Sequence, residues 1–192
     1  TPYDLEWEVG RISGTAQGLP SSGQPSTIVI TADSHLDENT TPATYTQTLR
    51  RLNEDKPDIL VDLGDTFMTG KHAQYQEAIK QYRAQRYYFG IPGSSAPVFL
   101  VLGNHDGETG WVERGQSGMT EWSETQRRLH FPTTVTSGPH YYSLRTGDAE
   151  LWVLDPFTPT KDKPARTLDG WRWTLGERQY RWLESSLAKS TA

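Results

Sequence analysis

The sequence predicts an α/β domain built on a mostly parallel sheet, and three observations predict it. Short runs of β-branched and other apolar residues alternate with longer stretches that carry apolar residues at helical spacing. The runs are apolar throughout instead of alternating, the pattern of strands covered on both faces. Each of the first three ends abruptly in a polar motif, Asp33-Ser34-His35, Gly64-Asp65 or Gly103-Asn104-His105-Asp106. In open parallel sheets ligands bind beyond the carboxyl ends of the strands, where these motifs fall.

Taken in order, residues 1 to 26 read as a leader rich in Gly, Ser and Pro, with an amphipathic stretch from Trp7 to Ile12 suited to an edge strand. Residues 27 to 192 read as the domain proper. Thr27 to Ala32 is the first buried strand. Thr41-Pro42 then supplies an N-cap and first helical position, Tyr45, Leu49 and Leu52 form an apolar face, and Pro57 stops the helix. The unit repeats, with Asp58 to Leu63 as strand and Tyr75, Ile79 and Tyr82 as helix face. Pro97 to Leu102 is a third strand, and a helix is expected from Glu121 to Leu129. Tyr141 to Leu144 and Leu151 to Leu154 flank Thr146-Gly147-Asp148, the pattern of a hairpin. Residues 156 to 172 read as loop. Thr174-Leu175-Gly176-Glu177 reads as a capping box opening a last helix, with Tyr180, Leu183 and Leu187 on its inner face.

Composition narrows the function classes. The chain of 192 residues suits one domain, and seven Trp, nine Tyr and five Phe concentrate its apolar area in large side chains. A net charge of -5 without long like-charge runs disfavours non-specific binding to a phosphate backbone, so nucleic acid enters only as a phosphodiester substrate. The absence of cysteine excludes disulfides, thiolate nucleophiles and Cys-based zinc sites. No stretch approaches the roughly 20 apolar residues of a membrane span, and no membrane partner is expected. The opening Thr1-Pro2 in place of Met favours an exported, periplasmic protein over a cytoplasmic one. Neither a G-x-G-x-x-G nor a P-loop motif follows a strand, and Ser34 is not in a G-x-S-x-G elbow, which argues against a nucleotide-binding fold and a serine hydrolase.

The three strand-exit motifs carry the chemistry. Singly they say little, because an Asp at a strand end is commonly a cap or a turn former. Together they bring Asp33, Asp65 and Asp106, His35 and His105, and Asn104 to one crevice. Oxygen and imidazole donors without thiolate suit Mn, Fe or Zn. Two such ions about 3.5–4 Å apart clamp the attacking and leaving oxygens of an in-line phosphoryl displacement and activate the attacking water. His72, His130 and His140 stand outside the motifs and read as surface or hydrogen-bonded structural residues.

These blocks resemble the first three signature blocks of the calcineurin-like metallophosphoesterases, over roughly residues 27 to 190. Trp171 to Gly176 followed by Gln179 to Leu183 is also similar to bacterial members related to purple acid phosphatases. The resemblance implies an αββα sandwich and metal-dependent hydrolysis of phosphate esters. It implies two divalent or trivalent metal ions, with Asp33 and His35 on the first, Asp65 shared, and Asn104 on the second. His105 becomes the general acid and Asp106 a turn residue or an indirect support. Two departures go with it: the family's second Asp, three residues after the shared one, is Met68 here, and the later His and Gly-His-x-His ligands have no counterpart. The resemblance therefore implies a fold incomplete at its C-terminus, with an uncovered apolar face, completed by a C-terminal fragment or a second chain. The alternative is a truncated, non-catalytic or chain-swapped module with an incomplete metal site. Substrate choice between monoester and diester is expected to lie in loops such as 107 to 120.

Overall fold

The computed structural model describes residues 2–7, 10–15, 18–37, 39–107, 118–132, 140–159 and 173–192. The leader forms an antiparallel hairpin, β1 (Pro2–Trp7) with β2 (Gly10–Thr15), paired from Pro2 with Thr15 to Trp7 with Gly10. Of the stretch expected as one edge strand, Trp7 therefore ends β1 while Gly10 to Ile12 open β2, and residues 8 and 9 lie outside the described residues.

The domain continues as β3 (Ile28–Thr31), α1 (Pro42–Glu54), β4 (Ile59–Asp62), α2 (Tyr75–Gly93), β5 (Val98–Leu100) and α3 (Met119–His130). β3, β4 and β5 form one parallel sheet in that order, Ile28 opposite Ile59 and Leu60 opposite Val98. β4 is central and all four of its residues are buried, as a continuously apolar parallel strand requires. Its side chains alternate between two cores. Leu60 faces the helices, in a cluster with Phe67, Tyr82, Phe89, Leu100 and Phe131, while Ile59 and Val61 face the second hairpin.

That hairpin is β6 (Tyr142–Thr146) with β7 (Ala149–Val153), joined at Gly147-Asp148. Tyr142, Leu144 and Val153 pack on Ile59 and Val61. On the hairpin's other face lies α4 (Gly176–Lys189): Trp182 contacts Tyr141, and Ser190 hydrogen-bonds Glu150 at 2.7 Å. Helices, sheet, hairpin and helix thus stack as an αββα arrangement. The hairpin covers Ile59 and Val61 but leaves Ile30 of the edge strand β3 60% exposed.

Two local expectations fail near the C-terminus. Thr174 forms no capping box, because it pairs in β9 (Trp173–Thr174) with β8 (Thr158–Pro159), and Leu175 takes the N-cap position without a side-chain bond. The inner face of α4 is also different: Tyr180 and Leu187 are exposed, and Gln179 is buried, bonded through its amide to Asp155 N–H at 2.8 Å and Asp155 C=O at 2.7 Å. The remainder of the expected loop 156–172, from residue 160, lies outside the described residues.

Candidate metal centre

The loop leaving β3 and the loop leaving β4 are zipped together by their backbones. Asp33 N–H donates to Gly64 C=O and His35 N–H to Asp65 C=O, each at 3.1 Å. Asp33, His35 and Asp65 all take left-handed φ values, 54°, 47° and 53°. Such values are uncommon for non-glycine residues, and conformations of this kind concentrate where the surroundings over-determine the backbone, as at functional sites. The glycines of the motifs answer a second demand, close approach. A Cβ on Gly103 would stand 2.0 Å from Asp65 N, and one on Gly64 would stand 2.2 Å from Gly103 N. Only hydrogen at both positions lets the β4 and β5 exits touch.

The result is one compact donor set. His35 Nε2 lies 3.5 Å from Asp33 Oδ1 and 3.8 Å from Asp65 Oδ2. Ligand atoms from these three residues all fall within 4.8 Å of one another. The Asp33 side chain is 71% exposed and that of Asp65 12%, so the group opens to solvent on the Asp33 side. A cavity of about 440 Å³ adjoins it, between Asp33 and Ser34 on one wall and Thr44, Tyr45 and Thr48 of α1 on the other.

The turn after β5 completes the rim. His105 N–H donates to Asp65 Oδ1 at 2.9 Å, and His105 C=O accepts from Gly70 N–H at 2.9 Å, so Asp65 touches both neighbouring loops. Asn104 is half-buried on the same turn. Asp106 is 1% exposed, and its two oxygens accept the N–H groups of Asp65, Thr66, Phe67 and Gly103 at 2.8–3.1 Å. With both oxygens so engaged it holds the turns together rather than offering a lone pair to an ion. Burial pushes its carboxyl up to about 7, against the pull of those N–H groups.

Several residues around the site are invisible to motif reading. Gln81 and Gln85, one turn apart on α2, reach both ligand-bearing loops. The Gln81 amide donates to the carbonyl oxygens of His35 and Thr66, and that of Gln85 to Ser34 Oγ at 2.9 Å and Thr66 C=O at 2.7 Å. A buried glutamine pair on a helix face otherwise lined by Ala78, Tyr82 and Phe89 is the sequence signal for them. Asp62, at the end of β4, accepts from Thr31 and Thr66 hydroxyls, and its burial raises its pKa. Asp37 meets the far edge of the His35 ring. Burial alone would raise its carboxyl, but the N–H of Asn39, Lys71 and His35 outweigh that and hold it below the usual range.

The other histidines are spent elsewhere. His72 Nε2 meets Gln81 Oε1 at 3.1 Å, His130 Nδ1 meets Gln126 C=O at 3.0 Å, and Arg127 meets His140 Nδ1 at 3.1 Å. Of the loop 107 to 120, an expected seat of substrate choice, residues 108–117 lie outside the described residues.

Two carboxylates and one imidazole, borderline-hard donors with an open side, fit a divalent transition metal. Such a group at the carboxyl ends of a parallel sheet, inside an αββα frame, belongs to the class of metal-dependent hydrolases. Residues 26–189 match the calcineurin-like phosphoesterases, and the chain belongs to that family. It is thus a hydrolase of phosphate esters, from a family that generally uses divalent metal ions. No curated protein matches the chain. Among the described residues no helix is long and apolar enough to cross a membrane.

Proposed function

We propose that the site is dinuclear: Asp33 and His35 hold one ion, Asn104 the other, and Asp65 both, with His105 as general acid. The observation that supports it most is the meeting of Asp33, His35 and Asp65 within 4.8 Å in a chain of this family. When bound, Mn, Fe or Zn supplies Lewis acidity that neutralises phosphate charge and activates water as nucleophile. The chain's own residues do the rest. Asp65 directs Oδ2 toward His35 and Oδ1 toward the turn of Asn104 and His105, the posture of a shared ligand. In this reading His105, its backbone held from both sides, gives a proton from its ring to the departing ester oxygen as the new P–O bond forms. Such a proton transfer contributes about 10²–10⁴ in rate.

Elemental analysis and turnover of a generic phosphate ester test this together. About two equivalents of metal per chain are expected, with hydrolysis lost on chelation and restored by Mn²⁺. His105→Ala should keep the metal and lose about 10²–10⁴ in turnover. Equal loss of metal in that variant sinks the acid role. The three-residue donor set also favours a second reading, a non-catalytic module with one weakly held ion. One equivalent without hydrolysis selects it.

A further inference from the structure

We propose that Asp37 is a positioning residue that fixes the tautomer of His35, keeping the proton on Nδ1 and turning the Nε2 lone pair toward the metal position. The inference rests on the metal-binding reading of Asp33, His35 and Asp65, and it assigns a task to a residue outside that set.

The two edges of the His35 ring face different chemistry. Nε2 points between Asp33 Oδ1 at 3.5 Å and Asp65 Oδ2 at 3.8 Å. Nδ1 faces Asp37 Oδ2 at 3.3 Å. An ionised carboxylate only accepts hydrogen bonds, and of the three that meet the ring Asp37 stands closest, in hydrogen-bond contact at 3.3 Å against 3.5 and 3.8 Å on the other edge, so the nitrogen facing it carries the hydrogen. In a neutral imidazole the opposite nitrogen then has the free lone pair, the one a metal needs. Asp37 cannot itself share the ion, because it meets the ring from the Nδ1 edge while Asp33 and Asp65 meet it from Nε2.

Asp37 is in turn well anchored. Its Oδ1 accepts Asn39 N–H at 2.9 Å and its Oδ2 lies 3.3 Å from Lys71 Nζ, with its side chain only 10% exposed. Lys71 ends the 3-10 turn Thr69–Lys71, just beyond the Asp65 loop. The left-handed backbone of His35 and Leu36, φ 47° and 54°, folds the chain so that residue 37 reaches the ring two positions earlier. Carboxylates bonded to metal-ligating histidines orient the ring and raise its basicity, and removing one typically costs 10–100-fold in metal affinity.

The direct test is the ring ¹⁵N–¹H correlation spectrum of metal-free wild-type protein, followed to the alkaline limit of the His35 shifts. The expected result is the Nδ1–H tautomer. Asp37→Ala should lose that preference and bind Mn²⁺ about 10–100-fold more weakly by calorimetry. Affinity within about twofold of wild type would overturn the proposal, since a merely structural ion pair with Lys71 would leave it there. The two readings separate cleanly. An Nε2–H tautomer in protein that binds Mn²⁺ overturns the Asp37 assignment alone, whereas protein that binds no Mn²⁺ overturns the metal reading and the task given to Asp37 with it.

Discussion

Replacing Gln85 by Leu tests whether α2 holds the two ligand loops in register. Gln85 is fully buried. Its amide donates to Thr66 C=O at 2.7 Å and Ser34 Oγ at 2.9 Å, and its Oε1 accepts from Tyr45 Oη at 2.9 Å. Leu has similar bulk and no polar atom, so three hydrogen bonds disappear, each contributing about 1 kcal/mol net. The Thr66 carbonyl keeps Gln81 at 3.3 Å. The Tyr45 hydroxyl, in a setting whose burial already raises its pKa, loses this acceptor and adds about 1–3 kcal/mol. Burying the leucine offsets roughly 1.5–3 kcal/mol. The expected net loss is about 1–4.5 kcal/mol, read by urea unfolding with an unchanged slope. Mn²⁺ affinity should fall as well, because Ser34 lies between Asp33 and His35. A loss under about 1 kcal/mol with unchanged affinity would refute the reasoning, since the glutamine would then be replaceable by packing alone.

Two further perturbations probe the geometry. In Gly103→Ala the new Cβ meets backbone, Asp65 N at 2.0 Å and Gly64 C at 2.8 Å, besides Asp65 Oδ1 at 2.4 Å. Backbone cannot rotate aside, so the variant should lose about 3 kcal/mol or more in thermal unfolding and bind metal weakly, and an unchanged Tm would refute the close approach. Asp148 makes a pH prediction. The Ser22 hydroxyl and the Gly23 N–H hold its carboxyl below the usual 3.8. A depressed folded-state pKa contributes stability that is full above the unfolded value and disappears as pH falls through the folded one. The Tm advantage of wild type over Asp148→Asn should therefore be constant near neutrality and vanish on acidification below 3.8. An advantage that persists in strong acid would refute the hydrogen-bonded carboxylate.

The parallel sheet is legible in the sequence because its signal is local. A strand buried on both faces has to be apolar at every position, and Ile59 to Val61 and Val98 to Leu100 show it without reference to any partner. The capping-box pattern at Thr174 misleads for the opposite reason. Its residues have a non-local alternative, pairing with Thr158 and Pro159, that no helical signal within residues 174–177 announces. The inner face of α4 is hidden in the same way, since Gln179 is buried by its bonds to Asp155, 24 positions earlier.

The site divides along the same line. Its donors are strand-exit residues, and a polar motif after an apolar run marks each of them. The residues that hold those donors in place are remote in sequence, as Gln85 is 51 positions from Ser34. Met68 carries the chemical consequence. It stands where the family resemblance places an Asp to orient the catalytic histidine, yet it is 1% exposed in the core and offers no acceptor. The backbone of His105 is held instead by Asp65 Oδ1 and Gly70 N–H. The backbone of His105 thereby hangs on the same carboxylate proposed to be shared by the ions. On the proposed dinuclear reading, loss of Asp65 would remove the shared ligand and the backbone anchor of the acid together, so the effects of changing Asp65 and His105 should combine less than additively.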